Sequence, residues 1–260
     1  MTTAVMVTGA GTGIGKATAV RLAQEGHVVL LVGRRDGPLK QTQAELEGAG
    51  HVVLSVDVSD RMAFHSALLG IMGQPGAGDM DLVGVFANAG IGGPNGFDID
   101  ESNDRWDEIM RINVTGVYVT LQVCRPYLKA SPREVTHAVV TSSVLARFGV
   151  PGQSAYVTSK TAVLGLVRSL AVEWGVDGIL VNAICPGWVE TEMARESIQR
   201  MADAQGMSYE DCHAQQCSVL PTGKMSSPEE MAEAVVWLMS PGQTGMTGQA
   251  VDVNNGSWMS

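Results

Sequence analysis

Tyr156 and Lys160 stand four residues apart in a stretch whose pattern predicts a helix, so both side chains fall on one face, one turn from each other. A free phenol has a pKa of about 10, and a nearby cation stabilises its ionised form. Bringing such a phenol near neutrality takes a shift of about three units, or roughly 4 kcal/mol. Lys160 is placed to supply part of that. Ser142 and Ser143 end a predicted strand over 138–142, and a loop returns from there to Tyr156. A serine hydroxyl at that point can hold a carbonyl oxygen while the tyrosine proton transfers.

The elements that must position these groups begin at the N-terminus. Thr8-Gly9-Ala10-Gly11-Thr12-Gly13-Ile14-Gly15 lies between a β-branched run over 4–8 and a helical stretch over 16–24. Backbone amides at a helix N-terminus can face a pyrophosphate there with no Cβ in the way, so the cluster reads as a dinucleotide phosphate cradle. At the end of the second strand, about twenty residues on, such folds place the group that meets the adenosine ribose. Gly33-Arg34-Arg35 stands there. Two guanidiniums can grip a 2′-phosphate and no carboxylate repels it, which favours NADP(H) over NAD(H). Asp36, a few residues later, is the feature that keeps NAD(H) open.

Apolar runs alternate with helical stretches along most of the chain. Predicted strands cover 4–8, 28–32, 52–56, 82–87, 138–142, 180–184 and 250–253; predicted helices cover 16–24, 61–72, 104–128, 154–174 and 228–238. Strands apolar on both faces and separated by helices imply an α/β fold, a doubly wound (Rossmann) parallel sheet with helices on both sides. Ligands bind such sheets at the carboxyl ends of the strands. With 260 residues, no repeat and no linker-length Gly/Pro tract, we expect a single domain over 1–260, with a helical substrate lid over about 190–220.

A formal charge of −10, with Arg34-Arg35 as the adjacent basic pair, argues against a nucleic-acid partner. The run Val28 to Val32 is too short to cross a bilayer, so no membrane role is expected. Cys124, Cys185, Cys212 and Cys217 are too scattered for a disulfide framework, which fits a reducing cytoplasm. No second Cys/His cluster completes a four-ligand site around Cys212-His213 and Cys217, so no metal is expected.

Taken together, Thr8 to Gly15, Asn88-Ala89-Gly90, Asn113, Ser143, Tyr156-Val157-Thr158-Ser159-Lys160 and Pro186-Gly187-Trp188-Val189-Glu190-Thr191 resemble the short-chain dehydrogenase/reductase family, in order and at the family's spacing over nearly the whole chain. The resemblance implies a nicotinamide-dependent oxidoreductase acting on a carbonyl or secondary alcohol. Within it, Tyr156 matches the acid/base, Lys160 the residue that lowers its pKa and holds the nicotinamide ribose, and Asn113 the anchor of a proton relay. Ser143 matches the substrate-positioning serine, thirteen residues before the tyrosine, with Ser142 as the alternative. Cofactor contacts are implied for Gly9, Thr12, Gly13, Ile14, Gly15, Arg34, Arg35, Asp57, Val58, Asn88, Ala89, Gly90, Tyr156, Lys160, Pro186, Gly187, Val189 and Thr191. Ala87 and Asn254-Asn255-Gly256 depart from the commoner pattern without touching these groups.

For substrate contact we expect Ser143, Trp188 and Met193, with Gly92 to Gly96 as one wall and Met201, Met207 and Tyr209 in the lid. Cys185 to Met193 and the long lid are similar to ketoreductases of polyketide or β-ketoacyl substrates and to β-hydroxy acid dehydrogenases. NADPH-dependent ketone reduction is therefore expected. NAD-dependent oxidation of a hydroxy acid or cyclic alcohol is the alternative, and a catalytically silent NAD(P)-sensing protein a remote one. Val117, Val119, Leu164, Leu166, Val167 and Leu170 look like an apolar surplus on two long helices, which, with the resemblance, leads us to expect a homotetramer.

Overall fold

Runs of valine, leucine and alanine bounded by glycines form strands, and strands apolar on both faces need helices above and below. The computed structural model describes residues 1–97 and 104–259. Its strands are β1 (Thr2–Thr8), β2 (Val28–Gly33), β3 (Val52–Ser55), β4 (Met80–Ala87), β5 (Thr136–Thr141), β6 (Ile179–Pro186) and β7 (Ala250–Val253). They pair in parallel in the order β3-β2-β1-β4-β5-β6-β7. The order reverses between β1 and β4, so the carboxyl ends of those two neighbours open the crevice where such sheets take ligands.

Two cores flank the sheet. On one side, α3 (Arg61–Met72), α5 (Gly116–Ala130) and α6 (Ser154–Gly175) bury Phe64, Leu121, Val163 and Val167 against alternate strand positions such as Met6 and Leu30. On the other, α1 (Gly13–Gln24), α2 (Asp36–Glu45) and α9 (Pro228–Leu238) bury Leu22, Leu39 and Val235 against Val5, Val29 and Phe86. A third, smaller core joins α7 (Glu192–Gln205) to α8 (Tyr209–Ser218) through Ile198, Ala202, Cys212, Leu220 and Met225. The remaining helix, α4 (Trp106–Met110), runs through a π-turn at Arg111–Thr115 into α5.

The structure corrects the sequence reading in three places. Helix α2 was not expected; its Pro38 lies in the first turn, where a proline needs no donor and is tolerated. The expected helix over 104–128 is interrupted by the π-turn, where the Gly116 amide reaches back five residues to the Arg111 carbonyl. The apolar surplus is not an exposed face: Val117, Val119, Leu164, Val167 and Leu170 are all buried within this chain, and Leu166 packs partly against the same core. Period-3.6 counting could not anticipate that the sheet covers so wide a helical arc.

His137, on β5, is 4% exposed and its Nδ1 has no hydrogen-bond partner among the described residues. Burial pushes its imidazole pKa from 6.5 down to about 4. Because the folded value lies below the unfolded one, the unfolded chain binds the extra proton between those pH values, and stability falls as pH drops through that window. Urea unfolding of the native protein should lose about 2 kcal/mol from this group between pH 7 and pH 5. A His137→Val variant should lack that component; an identical acid loss in the variant would refute it.

Candidate active site

The glycine cluster folds as its composition requires. Gly9 and Gly13 take φ of +69° and +53°, a region that disfavours side chains. A Cβ on Gly15 would lie 2.2 Å from the Gly9 carbonyl oxygen and 2.7 Å from Asn88 Nδ2, so only glycine lets α1 start this close to the β1 turn. Thr12 precedes α1 in extended conformation without capping it through its side chain, which leaves the first-turn amides to an outside acceptor. A cradle shaped by absent Cβ atoms and ending in uncapped amides fits a dinucleotide pyrophosphate. Ile14 packs partly against the second core beneath it, and Thr191 reaches over Gly13, its Cγ2 3.1 Å from where a Cβ would stand.

Across the crevice, the Thr8 hydroxyl accepts from the amides of Asn88 and Ala89 at 2.9 and 3.0 Å. Asn88 Nδ2 donates to the Thr8 carbonyl at 3.1 Å, and its Oδ1 accepts from the Thr141 hydroxyl at 3.0 Å. One asparagine therefore ties the tips of β1, β4 and β5 together. Thr8 and Thr141 escaped the sequence reading; the position of Thr8 at the head of the glycine cluster was the available signal.

Ser143, Tyr156, Lys160 and Asn113 converge beside this tie. Ser143 follows β5, is buried, and accepts from the Leu145 amide at 3.1 Å, which fixes its oxygen. Ser142 is turned to another use: its hydroxyl donates to the Lys160 carbonyl at 2.7 Å and anchors α6 to the sheet. That separates the two serines left open by sequence. Lys160 is 4% exposed, and its Nζ donates to the Thr141 carbonyl at 2.9 Å and lies 5.7 Å from the centroid of the Tyr156 ring. Asn113 sits in the π-turn, where Oδ1 accepts from the Ile91 amide at 2.8 Å and Nδ2 donates to the Ile91 carbonyl at 2.9 Å and Ser159 Oγ at 3.0 Å. A Cβ on Gly90 would stand 3.2 Å from Asn113 Oδ1 and 3.4 Å from Lys160 Nζ, so this glycine is the floor on which both meet. Ser159, missed by sequence reasoning, links the assembly by donating to the Tyr156 carbonyl at 2.8 Å.

Burial sets the electrostatics. It pushes the Tyr156 phenol above its usual 10, while the neighbouring Ser143 hydroxyl works against that rise. It pushes the Lys160 ammonium from 10.5 down to about 8. Both groups thus favour their neutral forms more than in water, and charge on either is most favourable when the other is charged too.

Arg34 and Arg35 are exposed and form no ion pair among the described residues, whereas Asp36 is engaged with Lys40 at 2.8 Å. Val58 is buried against Gly116. Burial pushes the Asp57 carboxyl up, but the hydroxyl and amide of Ser59 and the Arg111 guanidinium outweigh this and hold it below its ordinary range. Its Oδ2 pairs with Arg111 at 3.2 Å, a partner that sequence did not flag.

On the other flank, Pro186 ends β6, a Cβ on Gly187 would stand 3.0 Å from the Asn254 Cα and carbonyl oxygen, and Val189 pairs with Ser226. Met193 is 42% exposed and crosses Gly92, whose Cβ would stand 3.2 Å from the methionine sulfur and 3.7 Å from Tyr156 Cε2. Met193, Gly92 and Tyr156 therefore share one wall. Trp188 instead packs partly into the third core with Met201, Met207 and Tyr209. Beyond Gly92, Asn95, Phe97, Val150, Pro151, Ser154 and Val157 line a cleft of about 320 Å³. Among the described residues, no three His, Cys, Asp or Glu side chains are grouped to hold a metal ion, and no helix is long and apolar enough to cross a membrane.

A family profile described as enoyl-(acyl carrier protein) reductase matches residues 9–257. The chain is 32% identical to a 3-oxoacyl-(acyl-carrier-protein) reductase FabG of Aggregatibacter actinomycetemcomitans, over 98% of this chain and 99% of that one. It is 32% identical to a putative ketoacyl reductase of Streptomyces coelicolor, over 96% and 95%. Among solved structures, a tryptophan variant of the actinorhodin polyketide ketoreductase with NADPH superposes with a TM-score of 0.88 at 31% identity, covering 98% of this chain and 97% of that one. With the glycine cradle, the serine, the tyrosine–lysine pair and the asparagine all assembled at one crevice, and matches spanning nearly its full length, the chain belongs to the short-chain dehydrogenase/reductase family of oxidoreductases.

Proposed function

We propose that the protein is an NADPH-dependent carbonyl reductase that takes a ketone of the β-keto or polyketide-like kind. The observation that carries the reading is the convergence of Ser143, Tyr156, Lys160 and Asn113 beside the uncapped start of α1. Relatives named as ketoacyl reductases, and an NADPH-bound ketoreductase of matching fold, support the substrate class and the cofactor.

The bound nicotinamide supplies the hydride. Ser143 holds the substrate oxygen in place, its own oxygen fixed by the Leu145 amide. Tyr156 gives that oxygen a proton in reduction and takes it back in oxidation. Lys160, charged below about pH 8, stabilises the phenolate that results. Asn113 keeps Ile91 and Ser159 in register, and so holds the floor and the helix turn that carry Tyr156. Met193 and Gly92 close the side of the site next to the tyrosine ring. In this reading residues 1–260 act as one domain, with about 190–220 covering the substrate, in the cytoplasm. A homotetramer is proposed on the family resemblance, and light scattering should return the mass of four chains.

Arg34 and Arg35 carry the cofactor preference. Fluorescence titration should find NADPH bound about tenfold or more tighter than NADH, and Arg34→Ala should cost NADPH about tenfold while leaving NADH nearly unchanged. Tighter NADH binding by the native protein would overturn the 2′-phosphate reading and turn the substrate search toward secondary alcohols.

A further inference from the structure

Helix α8 carries Tyr209, His213 and Cys217 at four-residue intervals, one stripe of a single helix face. His213 Nε2 lies 2.8 Å from Glu190 Oε1, and His213 Nδ1 lies 3.8 Å from Cys217 Sγ. A carboxylate only accepts, so Nε2 carries the ring proton and Nδ1 offers its lone pair to the thiol. Tyr209 lies against the imidazole, ring centroids 5.9 Å apart and planes 29° apart, and restrains its tilt. Glu190 is held in turn, its amide donating to the Ser226 carbonyl at 2.9 Å. Thiol, imidazole and carboxylate thus form a nucleophile, a base and an orienting group in line, outside the reduction site. Cys124, Cys185 and Cys212 are buried, whereas Cys217 reaches the surface.

We propose that Cys217 is an activated thiol and the site of S-thiolation by a low-molecular-weight disulfide. His213 Nδ1 takes the thiol proton, and Cys217 Sγ attacks one sulfur of the disulfide. The disulfide S–S bond breaks as the bond to Cys217 forms, and the departing sulfur leaves with the electron pair and collects the proton from His213. Cys217 is oxidised to a mixed disulfide and the departing half is reduced to a free thiol. Glu190 lies between Val189 and Thr191, so a group on Cys217 that displaces His213 acts on the segment whose Thr191 overlies the glycine cradle.

The test uses the full-length protein and 5,5′-dithiobis(2-nitrobenzoate), with peptide mapping to identify the thiol; oxidised glutathione serves as the second probe. One thiol should react first, mapped to Cys217, and Cys217→Ser should abolish that phase. His213→Asn should slow it about tenfold at pH 7, because the thiolate is the nucleophile, and Glu190→Gln should slow it less. At about pH 10, where an unassisted thiol is ionised, native and His213→Asn rates should converge. Initial modification at another cysteine, a His213→Asn rate equal to native at pH 7, or a deficit that persists at pH 10 would each overturn the proposal, the last by tracing the effect to access. None of these outcomes depends on the ketone reductase assignment.

Discussion

A Tyr156→Phe variant should bind NADPH within about twofold of the native protein and turn over a β-keto thioester at least about a hundredfold more slowly. Only the phenolic oxygen is removed: the ring that lies 5.7 Å from Lys160 Nζ stays, as do the Ser159 bond to the residue 156 carbonyl and the whole cradle at α1. Loss of a positioned general acid typically removes a factor of about 10² to 10⁴. Stopped-flow hydride transfer, followed by NADPH fluorescence, separates the step from product release. A variant with near-native turnover would remove Tyr156 from the chemistry. One with lost NADPH binding would assign the hydroxyl to the cofactor instead.

Gly15→Ala should act at the opposite end of the same crevice. The added methyl would stand 2.2 Å from the Gly9 carbonyl and 2.7 Å from Asn88 Nδ2, and the first of these is backbone. Either α1 withdraws from the β1 turn or the turn changes shape, and displaced geometry of that kind costs about 1–3 kcal/mol. Since 1.4 kcal/mol is tenfold, dinucleotide affinity should fall by roughly ten- to a hundredfold. Because Asn88 also joins β5 through Thr141, thermal stability should fall with it. Native affinity in the variant would show that the pyrophosphate does not depend on this close approach.

These two positions also mark what sequence alone could reveal. The glycine turn, the strands around it and the Tyr156–Lys160 spacing were readable because each rests on local chemistry: φ above zero, period-2 or unbroken apolar runs, and four-residue helical neighbours. Helices α3 and α9 lie at the predicted bounds, and the structure shows α9 opened by a capping box between Ser227 and Glu230 with Pro228 in its first turn. What sequence could not supply is decided by contacts between distant segments. Ser142 and Ser143 are chemically alike, and the structure gives them different partners: Ser142 donates to the Lys160 carbonyl at 2.7 Å, while Ser143 accepts from the Leu145 amide. Trp188 beside a Pro-Gly turn suggested a substrate wall, and the structure packs it partly against the core between α7 and α8. Lys160 seemed simply a cation near a phenol, whereas its burial takes it to about 8, a property of the packing around it.

The π-turn between α4 and α5 adds a constraint of a different sort. It is one residue more than a regular helix would use between Arg111 and Gly116, and that surplus residue turns Asn113 toward Ile91 and Ser159. A shorter chain here would make a better helix, with more regular bonds, and would rotate everything before the deletion by about 100° relative to α5. Spacing across 111–115 thus sets the geometry of the candidate site as much as the identity of any side chain in it. A redesign that preserved every named residue but regularised this turn would keep the parts and lose their alignment.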